Sequence, residues 1–214
     1  MISTRPLPSA AVDTSIASQC LAEFLARVRR VDPHPAVLDL GILCGANIAF
    51  LGSKGCRVSV ESLPRAVAGP AAVAQRTDKG MEEGAVVAGP PSPLPPLSFP
   101  PESFSGILAW DSIARIPQAE AASLVETLRR LLLTGGVVLA YFPGPPGNPS
   151  GSAGRYRILN EDRVAVEPAQ QKGIPQTSYQ NREIYSLFAR FDVVRLSHLK
   201  SGTREVLVAR SRRN

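Results

Sequence analysis

A length of 214 residues is sufficient for one domain that buries a substantial core of its own. The composition, 44% hydrophobic and 20% charged, is typical of a soluble globular protein. The net charge of +6 comes partly from the final residues RSRRN, which include a solvated basic tail at 211–214. Since no stripe of aromatic and basic residues accompanies this tail, a nucleic-acid site is not favoured.

Cysteine and histidine usage argues against metal chemistry. The cysteines, Cys20, Cys44 and Cys56, show no paired or metal-ligand spacing, and the histidines, His34 and His198, are far apart. We therefore expect no metal site, and reduced, buried thiols in a cytoplasmic protein. No apolar run approaches the length of a membrane span, so no membrane association is expected.

The first part of the chain predicts a helix, a strand, a second helix and a second strand. After a loose segment at 1–14, a helix is predicted from Ser15, because apolar residues recur on one side of it as far as Val28. AVLDL is a short buried strand, and a glycine turn leads from it into a helix at 46–53. CRVSVES alternates like a strand and ends on Glu61.

Residues 64–96 show no single clear pattern. RAVAGPAAVAQR is a candidate helix and 85–88 a candidate weak strand, while GPPSPLPP at 89–96 is interpreted as a polyproline-like loop. A second loop rich in proline and glycine is predicted at 143–154. Both loops lie within one predicted domain, which covers 15–210.

The remaining segments continue the alternation of strands and helices. FSGILAWDSI predicts a strand, and 119–133 an amphipathic helix that ends at TGG, where glycine suits a left-handed cap. VVLAYF is typical of a strand covered on both faces. RYRILNEDRVAVEP is interpreted as weakly extended and 181–190 as a helix. FDVVRLSHL and GTREVLVAR are expected to form a hairpin at one sheet edge.

This alternation predicts an α/β fold with a doubly wound, Rossmann-like sheet, mostly parallel with an antiparallel last strand. Ligands bind such folds outside the carboxyl ends of the strands, where the turn DLGILCGAN is expected to lie. Gly41 and Gly45 would let the backbone approach a ligand, and the next helix would offer free N–H groups. Glu61 could accept hydrogen bonds from ribose hydroxyls. The alternative for Gly41 and Gly45 is a plain tight turn, and the alternative for Glu61 is a solvated strand end.

Five segments resemble class I S-adenosylmethionine-dependent methyltransferases in order and spacing, over roughly Ala36 to Arg210. They are VLDLGILCGANIAFL, CRVSVESL, LSFPPESFSGILAWDSIARIP, RRLLLTGGVVLAYF and NREIYSLFARFDVVRLSHLKSGTREVLVAR. The resemblance implies a seven-stranded sheet, S-adenosylmethionine as the cofactor, and methyl transfer to an unidentified acceptor, expected to be a small molecule.

The resemblance also assigns cofactor-binding roles. Asp39, Gly41 and Gly45 match the acid and outer glycines of the family's cofactor loop, and Glu61 matches the acid that holds the ribose. Leu43 replaces the middle glycine, where a left-handed backbone would cost leucine about 1–2 kcal/mol. The family's adenine-side acid has no clear counterpart. These departures motivate an alternative to the methyltransferase, an inactive domain that serves as a protein interaction module. The glycine spacing does not fit a third candidate, a nicotinamide-dependent oxidoreductase.

Few catalytic groups are required in this family, because the sulfonium is an activated methyl donor and alignment supplies much of the rate. Trp110 and Asp111 match the place where methyl group and acceptor meet. We assign Trp110 and Tyr141 to the substrate pocket and Asp111 as a candidate base, with Tyr141 and Tyr156 as weaker candidates. Ser105 stands where the family commonly has an acid. Packing for Trp110 and turn capping for Asp111 are the alternatives.

Overall fold

The computed structural model describes residues 15–63, 97–144, 154–168, 177–199 and 201–211. The strands are β1 (Ser15–Ala17), β2 (Ala36–Asp39), β3 (Arg57–Val60), β4 (Phe104–Trp110), β5 (Leu132–Phe142), β6 (Gly154–Ile158), β7 (Arg163–Pro168), β8 (Phe191–His198) and β9 (Arg204–Arg210). The α-helices are α1 (Leu21–Val31), α2 (Gly45–Ser53), α3 (Gln118–Leu131) and α4 (Asn181–Leu187), with a 3₁₀ turn at Ile113–Arg115. The predictions for 1–14, 64–96 and 212–214, and most of the loop at 143–154, lie outside the described residues.

Six strands form the central sheet in the order β3-β2-β4-β5-β9-β8. The first four in that order are parallel, β9 is antiparallel to β5, and β8 and β9 form an antiparallel edge hairpin. The predicted α/β class, mostly parallel sheet and antiparallel last strand are confirmed. The described residues supply six strands rather than seven. The candidate strand at 85–88 lies outside them, so a seventh strand stays a prediction.

Helices cover both faces of this sheet, as a doubly wound fold requires. On one face, α1 packs on β4 and β5, with Phe24 and Val28 pressed against Gly106. A Cβ at Gly106 would stand 2.4 Å from Val28 Cγ1 and 2.7 Å from Phe24 Cζ, so this close approach requires glycine. On the other face, Leu128 of α3 and Ile184 of α4 belong to a second buried core.

The chain enters α1 later than predicted. The helix expected from Ser15 begins at Leu21, while Ser15–Ala17 form β1, antiparallel to β7. The prediction was wrong because Ile16 fits the apolar spacing of either element, and pairing with a distant strand decides between them. The Ser18 hydroxyl accepts the Leu21 N–H at 3.0 Å, which marks the start of the helix.

The end of α3 also differs from its prediction. The helix expected over 119–133 covers Gln118–Leu131, and Leu132 already pairs with Phe104 across the sheet. TGG is therefore not a helix cap. Gly135 does have a left-handed backbone, with φ of 81°, but it lies inside β5. Glycine therefore adopts a left-handed backbone here, as expected, but it does so within a strand and not at the end of a helix.

The region interpreted as weakly extended forms a second, antiparallel sheet in the order β1-β7-β6. Asn47 of α2 fastens this small sheet to the rest of the fold. Its side-chain nitrogen donates to the Tyr156 carbonyl at 2.9 Å, and its side-chain oxygen accepts the Ile158 N–H at 2.8 Å. Asn47 thus binds β6 as a neighbouring strand would, and the small sheet is held next to the first turn.

A buried carboxylate, Glu205 of β9, joins the start of α1 to the central sheet. It accepts hydrogen bonds from the Ser18 hydroxyl, the Gln19 N–H at 2.7 Å, the Cys20 N–H at 3.1 Å and the Tyr141 hydroxyl at 3.1 Å. Burial, reinforced by this carboxylate, raises the pKa of Cys20 to about 12 and that of Tyr141 well above its usual value. Both groups therefore stay protonated at neutral pH.

Replacing Glu205 with alanine should destabilise the fold strongly, because buried donors would lose their shared acceptor. We expect the free energy of unfolding to fall by at least about 1–3 kcal/mol, the cost of one buried donor left without an acceptor, and by less for Glu205→Gln, whose amide oxygen still accepts. Asp192→Asn, at an exposed position of β8, is the control and should change stability by less than about 0.5 kcal/mol. Urea unfolding measures all three variants. A loss in Glu205→Ala no larger than in the control would contradict the role of this carboxylate.

Candidate functional site

A small cleft, partly open to solvent, lies at the carboxyl ends of β2, β3 and β4. From β2 the chain continues to β3 on one side of the sheet, whereas from β4 it continues to β5 on the other. This reversal is the switch point at which doubly wound folds bind ligands. The cleft is lined by polar groups or backbone of Gly41, Ser62, Asp111, Ser112, Arg115 and Tyr156.

Asp39, the last residue of β2, uses its carboxylate inside the protein. Asp39 Oδ1 accepts the Gly41 N–H at 2.9 Å and the Trp110 Nε1–H at 2.6 Å, while Oδ2 accepts the Asn47 side-chain N–H at 3.3 Å. The residue is only 1% exposed. Burial raises the pKa of Asp39, and these three hydrogen bonds oppose the rise. The acid predicted for the cofactor loop is thus surrounded by donors of its own chain.

Gly41 is required by a close contact with Trp110. A Cβ added at Gly41 would lie 2.8 Å from Trp110 Cδ1 and 2.9 Å from Asp39 Oδ1. Gly45, by contrast, begins α2 with nothing within 4 Å of an added Cβ. The two glycines of the turn therefore differ, and only the first is constrained by a neighbour in this structure.

Trp110 belongs to a buried aromatic cluster at the end of β4. Its ring stacks on Tyr156 with centroids 5.2 Å apart and planes 3° apart, and it contacts Tyr141 at 5.7 Å. Its backbone φ is 47°, a left-handed value that bulky residues rarely adopt. The predicted pocket residue Tyr141 is fully buried and bound to Glu205, so neither Trp110 nor Tyr141 lines the cleft.

Leu43 lies away from the turn's interior. Its side chain is 62% exposed, and it does not line the cleft. Among the described residues, the non-glycine positions with positive φ are Glu102 and Trp110. Leu43 therefore carries none of the left-handed strain considered from the sequence.

Glu61 follows β3 and is exposed. Its backbone N–H donates to the Asp39 carbonyl at 2.9 Å, which sets the end of β3 beside the end of β2. The adjacent Ser62 hydroxyl donates to the Gly41 carbonyl at 2.9 Å. These two bonds bring the predicted ribose-binding acid and the glycine turn to the same edge of the sheet.

Sequence reasoning missed the partner of Asp111. Arg115 forms a buried ion pair with Asp111, with both side chains less than 10% exposed, and also donates to the Gly154 carbonyl at 3.3 Å. The Tyr156 hydroxyl hydrogen-bonds to the same carboxylate. The spacing of four residues between an acid and an arginine in DSIAR was the available signal.

This ion pair restrains the chemistry of Asp111. Burial raises the pKa of Asp111, and the Arg115 guanidinium opposes the rise. Burial also raises the pKa of Tyr156 well above its usual value, with the Asp111 charge adding to the effect. Protonation of Asp111 would break up the ion pair and leave Arg115 as a buried charge without a counterion.

Ser105, which stands where the family commonly has an acid, serves the sheet. Its hydroxyl accepts the Ala36 N–H at 3.0 Å and lies 3.3 Å from the Ala36 carbonyl, to which it donates. The residue is fully buried between β4 and β2. A larger carboxylate at this point would disrupt the start of both strands.

Three further features bear on metals, membranes and redox state. In the described parts of the chain, no group of three or more His, Cys, Asp or Glu side chains is arranged to hold a metal ion. No helix in those parts combines the length and apolar character needed to cross a bilayer. Cys20, Cys44 and Cys56 are buried and form no disulfide.

Several solved structures share this architecture. An S-adenosylmethionine-dependent methyltransferase from Mesorhizobium loti has 16% identity and a TM-score of 0.51, over 88% of this chain and 98% of its own. The putative methyltransferase complexed with the Haloferax volcanii Trm112 methyltransferase activator has 16% identity and a TM-score of 0.52, over 88% of each chain. The [4+2]-cyclase SpnF has 13% identity and a TM-score of 0.50, over 94% of this chain and 88% of its own. No protein-family model matches the chain, and comparison with curated proteins gives no significant match.

The chain therefore has the fold of the class I S-adenosylmethionine-dependent methyltransferases. This confirms the resemblance noted from the sequence at the level of the fold. Since one of the similar structures is named as a cyclase, the fold does not by itself establish the reaction.

Adding a methyl group at each glycine of the turn should separate their roles. Gly41→Ala places a Cβ against Trp110 and Asp39, and we expect it to lower the free energy of unfolding by about 1–3 kcal/mol. Gly45→Ala meets open space at the start of a helix and should be neutral or stabilising by up to about 1 kcal/mol. Denaturant unfolding of both variants measures the difference. Equal effects would show that the indole does not constrain Gly41.

Proposed function

We propose that this protein is a cytoplasmic S-adenosylmethionine-dependent methyltransferase that acts on a small molecule. The observation that carries the proposal is the cleft at the switch point, bounded by the first turn and the ends of β3 and β4. Doubly wound folds bind their ligands at this place. The free, buried cysteines suit a reducing compartment.

The residues that follow β3 suit the cofactor on its ribose side, since Ser62 lines the cleft and Glu61 is its exposed neighbour in sequence. The exposed Glu61 carboxylate would accept hydrogen bonds from the ribose hydroxyls, and the neighbouring Ser62 would add a hydroxyl contact. On the side of the first turn, Gly41 offers its backbone, although Trp110 covers the inner surface of that turn. When bound, S-adenosylmethionine supplies an activated methyl group. The protein would then act chiefly by holding the acceptor in line with it.

The end of β4 would receive the acceptor. Asp111, Arg115 and Tyr156 line the cleft together there, as one hydrogen-bonded group. Because proton transfer to Asp111 would break its ion pair, this arrangement suits an acceptor whose attacking atom needs no prior deprotonation. If a proton must leave first, Asp111 is the base we assign.

The alternative is a methyltransferase-like domain without catalysis that serves as an interaction module. The observation in its favour is that Asp39 is already satisfied by Gly41, Trp110 and Asn47, so the first turn needs no ligand to complete its hydrogen bonds. In this alternative the fold would be retained for a partner protein.

Calorimetric titration with S-adenosylmethionine and S-adenosylhomocysteine decides between the two. We expect micromolar affinity, about −8 kcal/mol, if the protein is a methyltransferase. An absence of binding by a folded sample would favour the interaction module. Addition of candidate acceptors to the cofactor complex would then test the small-molecule class.

Glu61→Ala should weaken binding of S-adenosylhomocysteine about 10- to 100-fold, since hydrogen bonds to a charged group contribute about 1.5–3 kcal/mol. Asp192→Ala removes an exposed acid from β8, at the far edge of the sheet, and is the matched control. Calorimetry measures both. Unchanged affinity in Glu61→Ala would remove Glu61 from the site.

Leu43→Gly tests whether this leucine obstructs the cofactor. The Leu43 side chain is 62% exposed, and the Leu43 backbone does not have a positive φ. We therefore expect the affinity for S-adenosylhomocysteine to stay within twofold, about 0.4 kcal/mol, of that of the unmodified protein. Calorimetry on the variant and the unmodified protein makes the comparison. A tenfold gain would show that Leu43 blocks the turn after all.

A further inference from the structure

The indole of Trp110 fills the space through which a ligand would reach the Asp39 carboxylate. An added Cβ on Gly41 would be 2.8 Å from Trp110 Cδ1 and 3.0 Å from Trp110 Nε1. The edge of the ring therefore lies against the glycine backbone, with no room for a ligand atom between them. Gly41 lines the cleft whereas Trp110 and Asp39 do not, so the cleft ends at Gly41 and the indole lies behind this residue.

The indole also occupies the acceptor site of Asp39. Oδ1 accepts hydrogen bonds from the Gly41 N–H and the Trp110 Nε1–H, and these two bonds use both lone pairs of that oxygen. The Gly41 donor is fixed in the backbone of the turn. A ligand donor can therefore bind Oδ1 only in place of the indole.

Trp110 is held in this position by packing from the small sheet. Its φ of 47° is unusual for a bulky residue, and the pairing of β4 with β5 shifts register between Leu108 and Trp110. The face of its ring is covered by Tyr156, at 5.2 Å between centroids. Tyr156 itself lines the cleft, so a ligand there touches the residue that holds the indole in place.

We propose that Trp110 determines which ligands the first turn accepts, because its indole N–H occupies Asp39 Oδ1 until a ligand with a cationic N–H donor displaces it. Asp39 is a buried acid whose present donors, Gly41, Trp110 and Asn47, are all neutral, so a cation gains more there than a neutral group does. The inference rests on the proposed function. S-adenosylhomocysteine carries an ammonium group and should displace the indole, whereas adenosine lacks one and should not.

Tryptophan fluorescence can follow this displacement directly, because Trp110 is the sole tryptophan of the chain. Titration with S-adenosylhomocysteine should shift the emission to the red, as the indole leaves a site where it is 1% exposed. Titration with adenosine should leave the emission unchanged.

Calorimetry on Trp110→Phe supplies the second measurement. This variant keeps an aromatic ring but removes the N–H donor to Asp39, and Trp110→Ala removes the ring as well. We expect tenfold tighter binding of S-adenosylhomocysteine, as for a site open only about 10% of the time before the change. Adenosine affinity should not change. Phe188→Leu, in the core on the opposite face of the sheet, controls for loss of a buried aromatic ring.

The outcomes separate this inference from the proposed function. A red shift with S-adenosylhomocysteine and tighter binding by Trp110→Phe would support both. Binding only after Trp110 is replaced would overturn the inference, because the ammonium group would have failed to displace the indole, and would show that the natural protein is closed to the cofactor. Binding with unchanged fluorescence and unchanged affinity in Trp110→Phe would overturn the inference alone. No binding by the protein or by folded Trp110→Phe would overturn both, and these two samples suffice if Trp110→Ala does not fold.

Discussion

The carboxylate of Asp39 is the constraint on which the functional end of this fold depends. It joins the backbone of the first turn, the indole at the end of β4 and the amide of Asn47 in α2. Asn47 in turn binds two backbone groups of β6. One buried acid therefore links the first turn, β4, α2 and the small sheet. Any change in its partners would alter the relative positions of these elements, and with them the walls of the cleft.

This linkage changes the meaning of the glycine turn. Glycine next to an acid at the end of a first strand usually indicates that a ligand approaches the backbone. Here the group that approaches Gly41 is the ring of Trp110, and the exposed positions of the turn, Leu43 and Gly45, have no such contact. The same sequence pattern is thus compatible with a turn that is covered by a side chain of the protein and with a turn that is open to a ligand. What distinguishes them is a residue 69 positions further along the chain, which the local pattern does not include.

The sequence predicts those features that depend on local periodicity. The apolar run in β5, the hairpin of β8 and β9 and the helix α3 follow from alternation, amphipathic spacing and turn residues. Prediction fails where long-range pairing decides, as at Ser15, whose segment joins β7 instead of α1. In the site, the position of Asp39, Gly41 and Glu61 at one edge follows from parallel strands. The contact of Trp110 with Asp39 does not, because it depends on a left-handed residue and a shift in register.

Glu205 has a consequence for the order in which the molecule can be assembled. The carboxylate lies 187 positions along the chain from the Ser18 hydroxyl, whose hydrogen bond it accepts. During synthesis, α1 emerges from the ribosome long before its acceptor, and the backbone donors at its start have only water as a partner. The native start of this helix can form only when β9 joins the sheet. Folding should then be a late, concerted event, and incomplete chains are the ones exposed to chaperones and proteases.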